Sequence, residues 1–259
     1  MKKYTATQKI GLALVLMIVG VTLVGLFYTP YDPNKMNGLS KNMAPCLEHP
    51  FGTDNFGRDI LSRVMDGAKT TFIIASATVL IGAVVGTIIG AITGYFGGVV
   101  DECLMRFNDV VASIPSILLA LLVVSILGVG KYKIIVALGI IFIPSFARVT
   151  RSEFVAQRQL DYVKNARLMG ASHLRIIFLH IMPNTLPILL PSLAIGFNNA
   201  VLAEASMSYL GLGVQPPDPS LGRMLSDAQS FLMTAPWYCL APGFTIILTV
   251  LGFSLLVER

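Results

Sequence analysis

Few residues in this sequence have a type and spacing suited to bond-making chemistry. Cys46, Cys103 and Cys239 are an odd number, far apart, and His49, His173 and His180 form no HExxH pair, so neither set has the spacing of a metal site within the chain. Gly94-Tyr95-Phe96-Gly97-Gly98 is rich in glycine but lacks the lysine and hydroxyl residue with which a GxxxxGK-Ser/Thr loop holds phosphate and magnesium. No enzyme activity and no cofactor are expected in this chain. What does concentrate is charge. Between Arg148 and Pro183 stand Arg148, Arg151, Arg158, Lys164, Arg167 and Arg175 against only Glu153 and Asp161. Such an insert is suited to lying on charged lipid or docking on a partner, and it has no constellation for catalysis.

The surroundings of that insert decide what it is for. The 259 residues are 54% hydrophobic and 13% charged, with a mean hydropathy of +0.74, where a soluble domain carries about a quarter charged residues. Charge-free runs span Ile10–Tyr31, Thr70–Val100, Val110–Gly130, Ile134–Ala147, Thr185–Ala203 and Ala228–Val257. A helix needs about 20 mostly apolar residues to cross a bilayer core. All but one run reach or nearly reach that length. Ile134–Ala147 does so only if Val149 joins and the Arg148 head snorkels to the interface. The expected fold is all-α, a polytopic membrane protein of about six transmembrane helices without a separate soluble domain. Residues 1–30 form an N-terminal tail and first helix, 31–69 an extracellular segment, and 70–257 a five-helix core with a loop at 150–184. The first run, behind Lys2, Lys3 and Lys9, is too long for a signal peptide and lacks a small-x-small cleavage site, so it reads as a retained helix.

Charge bias sets the orientation. Three lysines and no acid precede the first run, and Pro30–Lys69 is balanced. An N-terminus in the cytoplasm therefore brings the basic insert to the cytoplasm after four crossings. Glu204–Pro236 then lies outside, and the chain ends inside. This asymmetry accounts for the net charge of +5 without nucleic acid as a partner.

Within the insert, Val163, Ala166, Gly170, Leu174, Phe178 and Ile181 recur at helical steps. Gly170 costs about 1 kcal/mol inside a helix, so it is better placed at a C-cap or sharp turn. Ser172 then caps a second helix. The segment reads either as a basic amphipathic loop lying on membrane lipid or as a short helix docking into a groove on a soluble partner, with Arg167 as anchor.

The segments that decide between these readings lie across the whole chain. Ala166-Arg167-Leu168-Met169-Gly170-Ala171, followed by Ile181-Met182-Pro183, resembles the cytoplasmic EAA loop of binding-protein-dependent ABC importers. His49-Pro50-Phe51-Gly52-Thr53-Asp54 with Gly57-Arg58-Asp59-Ile60-Leu61-Ser62-Arg63, Glu204-Ala205-Ser206-Met207-Ser208-Tyr209-Leu210-Gly211-Leu212-Gly213 and Ala235-Pro236-Trp237 resemble the C-subunit branch of the dipeptide/oligopeptide/nickel permeases. In two places the chain departs from that pattern. Lys164 and Asn165 stand where the loop's Glu and first Ala are expected, and the sequence stops at Val257-Glu258-Arg259 where relatives carry a short tail. The resemblance implies a permease subunit in a prokaryotic plasma membrane, half of a translocation pore for peptides or for nickel or a metal chelate. It also implies a homologous B-type permease subunit, two ATP-binding subunits that hold ATP and Mg, and an extracellular solute-binding protein. Lys164, Ala166, Arg167, Met169, Gly170, Ala171 and Leu174 become the residues that couple to the ATPase.

Other residues take roles around that loop. Pro183, Pro187 and Pro191 fall on one face, each removing a backbone hydrogen bond; Pro183 and Pro187 are the hinge candidates. Asn198 and Asn199 are either interhelical glue or, with Ser113 and Ser116, lining of the pathway. Gly82, Gly86, Gly90 and Gly94 recur every four residues and predict close helix packing. Asp54, Arg58 and Asp59 predict a structural clasp or a contact for the binding protein, and Glu204 belongs to the second outer motif. An ion-coupled carrier is the rival class; it calls for ionisable groups at mid-membrane and an internal repeat, neither of which the sequence displays.

Overall fold

In a computed structural model that describes residues 5–257, the chain forms helices joined by turns and loops, the longest of them at 28–59, with an isolated bridge between Thr53 and Asp59. Lys2, Lys3, Glu258 and Arg259 lie outside the described residues. The long helices are α1 (Ala6–Phe27), α2 (Ile60–Phe96), α3 (Gly98–Ser113), α4 (Ser116–Leu127) and α5 (Lys131–Arg158). They are followed by the short α6 (Asp161–Leu168) and α7 (His173–Arg175), a π-helical turn at Ile176–Ile181, then α8 (Met182–Tyr209), α9 (Leu221–Ala228) and α10 (Pro236–Val257).

Five of these stretches are single helices long and apolar enough to cross a membrane: α1, α2, α5, the stretch ending in α8, and α10. The expected third span is different. Instead of one helix over Val110–Gly130, the chain forms α3 and α4 with a bend of 92° at Ile114-Pro115. Proline disfavours the α conformation in the residue before it, and Ile114 is accordingly extended, with ψ 128°. Ser113 and Ser116 flank the break; the Ser113 hydroxyl donates to the Val110 carbonyl and closes the end of α3.

Helices also outrun the charge-free runs. α2 begins at Ile60 and α5 continues to Arg158, so the segment that leaves the long helices is shorter than residues 150–184. α8 continues to Tyr209, which puts Glu204 on a long helix and not in a loop. The extensions of α5 and α8 carry charges that other helices answer. Arg151 is bidentate to Asp101 on α3, at 2.5 and 2.6 Å. Arg148 reaches Asp109 at 3.3 Å, a partner in place of the expected snorkelling.

The chain divides into two compact units, Met1–Ser76 with Leu121–Ile135 and Phe197–Arg259, and Ala77–Ala120 with Val136–Gly196. In the first unit, α1 buries Gly11, Ile18, Thr22 and Gly25 along one stripe. Gly11 lies against the backbone of Gly252 and Leu256 on α10, and Gly25 against Met65 on α2. In the second unit, the stripe of Gly82, Gly86, Gly90 and Gly94 faces Phe142, Phe146, Ala147, Thr150, Arg151 and Phe154 on α5. The packing expected from that four-residue recurrence is what the fold contains.

Candidate functional site

The basic insert folds into an elbow. α6 ends at a left-handed Gly170, φ +82°, where the Ala171 amide donates to the Ala166 carbonyl and the Gly170 amide to Arg167. This double bond pattern satisfies two end carbonyls of the helix, and glycine adopts its backbone angle without steric cost. Ser172 follows in extended conformation and its hydroxyl accepts the Arg175 amide, starting the next helix. Both local expectations, a turn at Gly170 and a cap at Ser172, are met.

The expected single apolar face is not. Val163, Ile176, Ile177 and Ile181 are buried with Ala91, Tyr95 and Phe154, and Ala166 and Ala171 pack partly against them. Leu174 and Phe178, placed on that face by their spacing, are instead 69% and 60% exposed. The turn at Gly170 restarts the helical phase, and the π turn, with Met182 donating to Ile177 five residues back, shifts it again. The elbow tip thus displays Leu168, Met169 and Leu174 to the outside, with Lys164 and Arg167 exposed beside them. Lys164 pairs with Asp161 at 3.1 Å, both in solvent, so this pair contributes little stability.

Four side chains to which the sequence reading gave no holding role, Tyr95, Arg158, Tyr162 and Asn184, hold the elbow. Tyr95, counted only as part of a failed phosphate loop, places its hydroxyl 2.8 Å from His173 Nδ1, and its ring lies 5.8 Å from the Arg167 guanidinium. Arg158 donates to the Tyr95 carbonyl at 2.9 Å. Asn184 donates to the His180 carbonyl at 2.7 Å, and Tyr162 joins the same carbonyl at 3.3 Å. A helix-terminal tyrosine is the one signal in the sequence; its partner lies 78 residues on. Pro183 is the second residue of α8, just after the π turn, while Pro187 and Pro191 lie inside the helix.

The remaining candidates lie elsewhere, and the structure does not gather them at the elbow. Asn198 donates to the Val250 carbonyl at 3.2 Å and to Ser254 Oγ at 3.0 Å, which ties α8 to α10 and makes it interhelical glue. Asn199 is exposed on the other side of α8. The outer motif is a clasp: Asp54 Oδ1 accepts the Phe56 and Arg58 amides, and Oδ2 accepts Arg58 Nε at 2.6 Å. Asp59 caps α2 through the Ser62 amide and hydroxyl, both 2.7 Å, and its other oxygen meets His49 Nδ1 at 2.8 Å. Glu204 is fully buried, with Oε2 accepting from Thr71 at 2.8 Å and Oε1 from Ser208 at 2.6 Å. Cys46 and Cys103 are exposed and Cys239 half-buried, all as free thiols.

Long apolar helices, ion pairs between helices and an exposed basic elbow mark a multi-pass membrane protein. Comparison with known proteins gives that class a family. A family described as "Binding-protein-dependent transport system inner membrane component" matches residues 86–259. The dipeptide transport system permease protein DppC of Alkalihalophilus pseudofirmus is 36% identical over 247 residues, covering 95% of this chain and 81% of that protein. The glutathione transport system permease protein GsiD of Escherichia coli O6:K15:H31 is 40% identical over 243 residues, covering 93% and 80%. A solved inward-facing structure of the MetNI methionine ABC transporter shares the fold, with a TM-score of 0.59 at 20% identity over 76% of this chain and 97% of that one. The chain therefore belongs to the binding-protein-dependent transport family and is an ABC importer permease of its peptide/nickel branch.

Proposed function

We propose that this permease forms one half of the translocation pore of an ATP-driven importer of short peptides. A homologous B-type permease subunit supplies the other half. Two ATP-binding subunits hold ATP and Mg and engage the elbow, and an extracellular solute-binding protein delivers the solute. The N-terminus and the elbow lie in the cytoplasm of a prokaryote, and lipid of its plasma membrane covers the outward apolar faces.

The observation that carries this reading is the elbow tip. Leu168 and Met169 are 86% and 87% exposed beside Leu174, on a turn whose Gly170 has nothing within 4 Å of an added Cβ. Exposed apolar groups flanked by Arg167 and Lys164 suit a groove on a soluble subunit, where they are buried on docking. A peptide solute is supported by the dipeptide and glutathione permeases among the relatives. The buried Glu204 does not favour an ion-coupled carrier, because both its oxygens are occupied by hydroxyls from within the fold.

The test is reconstitution of the four-component assembly, with a cysteine at Leu174 for crosslinking. Crosslinks to the ATPase, together with ATP-dependent uptake of labelled dialanine or glutathione, are expected. Uptake of nickel in place of peptide would redirect the substrate; an active assembly in which Leu174 never meets the ATPase would overturn the docking.

A further inference from the structure

Tyr95 occupies the last turn of α2 and is only 3% exposed, among Ala91, Phe154, Val163, Ile176, Ile177 and Ile181. Phenylalanine would fill that apolar space equally well. The buried hydroxyl needs a partner, and its partner is the first residue of the helix that follows the Gly170 turn, His173. Tyr95 is also held at its backbone carbonyl by Arg158, the last residue of α5, and its ring is within reach of Arg167 at the end of α6. Phe96 adds a ring contact to His173 at 5.9 Å between centroids. One residue therefore gathers both arms of the elbow through its side chain and the end of α5 through its carbonyl. The elbow has no other anchor of this kind on α2 among the described hydrogen bonds.

We infer that Tyr95 and His173 are a positioning pair that makes the elbow and the inner end of α2 move as one body. This rests on the proposed docking of the ATPase at the elbow and adds the route by which the push leaves it. Without the pair, the elbow keeps only its apolar packing against α2, and the Gly170 turn takes up a larger share of the displacement, because a glycine with free space around it is the softest point of the segment. With the pair, α2 receives it, and the glycine stripe hands it on to α5.

Hydrogen exchange on the complete assembly in nanodiscs, with and without ATP and vanadate, tests this. In the parent, nucleotide is expected to protect the elbow amides near Leu174 and to change exchange over Ile89–Tyr95. In Tyr95→Phe and in His173→Ala the elbow protection persists. The response of α2 is expected to fall about five-fold, roughly the factor one net hydrogen bond is worth. His173→Asn, which can offer either a donor or an acceptor at the Nδ1 position, restores it. A purely structural role would lower protection of the elbow and α2 together and would show no such rescue. An unchanged α2 response in both variants, with the elbow protected, overturns the pair alone. No elbow protection in the parent overturns the docking reading and the pair with it. His173 is exposed, so its variants remain informative if Tyr95→Phe folds poorly.

Discussion

Adding one methyl group at Gly86 tests the contact between α2 and α5 directly. A Cβ there would lie 2.7 Å from the Ile143 carbonyl oxygen, 2.7 Å from Phe146 Cβ and 2.9 Å from the Ala147 nitrogen. Carbon atoms prefer about 3.5–4.0 Å, so the helices must separate by about 1 Å, and the obstacles are backbone atoms and a Cβ, none of which can rotate away. Overpacking of this kind costs about 1–3 kcal/mol. Alanine also favours a helix over glycine by about 1 kcal/mol, which would blur a single measurement. Gly20 on α1 removes the ambiguity, because a Cβ there meets nothing within 4 Å. Gly20→Ala gains the same propensity without the clash, so the difference between the two variants isolates packing, at about 1–3 kcal/mol. Gly139→Ala should fall between them, since its obstacle is the Ile81 side chain, 2.9 Å away at Cγ2. Reversible unfolding in mixed micelles, followed by helical circular dichroism, measures all three. If Gly86→Ala proves as stable as Gly20→Ala, the stripe is not a packing seam and the transmission from α2 to α5 loses its basis.

Thr71→Val keeps the side-chain shape but removes both the donor to Glu204 and the acceptor for the Leu221 amide at 3.2 Å; a loss of about 2–4 kcal/mol is expected from two buried bonds, and Thr71→Ser should restore most of it in the same unfolding assay. A double-mutant cycle of Asn198→Ala and Ser254→Ala should give a coupling of about 0.6 kcal/mol and no more than about 1.7, the range for polar pairs between membrane helices. Gly170→Ala should strain the backbone by about 1–2 kcal/mol at its positive φ, speeding exchange of the Gly170 and Ala171 amides by about 5–30-fold. Equal exchange in the variant would mean that the left-handed turn is not held.

How far the sequence foretold this arrangement depended on the range of each interaction. The turn at Gly170 and the cap at Ser172 are made by residues within five positions of each other, so composition and spacing were enough. The clasp of Asp54 with Arg58 and the glycine stripe were legible for the same reason. Glu204 was read as the start of a loop because a carboxylate ends an apolar run. Its partner Thr71 lies 133 residues away and makes a helical position tolerable. Arg151 and Asp101, 50 residues apart, hid the true length of α5 in the same way. The break at Pro115 carried a local signal, but in an uninterrupted apolar run hydropathy outweighed it. Tyr95 had no local signal beyond its place at a helix end.

The stiffness of the two exits from the elbow decides where a push at its tip goes. Pro183, Pro187 and Pro191 stand at four-residue steps, and each lacks the amide that would bond one turn back. A regular α turn would also set the Pro183 ring against the Leu179 carbonyl; the wider π turn of Ile176–Ile181 relieves that crowding at the expense of regular hydrogen bonding. The entry to α8 is thus weakened on one face, and it bends more easily than it transmits. The other exit is filled by Tyr95, Phe154, Val163 and Ile181, all at or near zero exposure, and packed interiors of this kind carry strain with little compression. In the proposed cycle, displacement of the elbow therefore reaches α2 and α5 as a nearly rigid movement, while α8 follows by bending at its prolines. A hinge at Pro183 and Pro187 is then where motion is accommodated, and Tyr95 is where force passes.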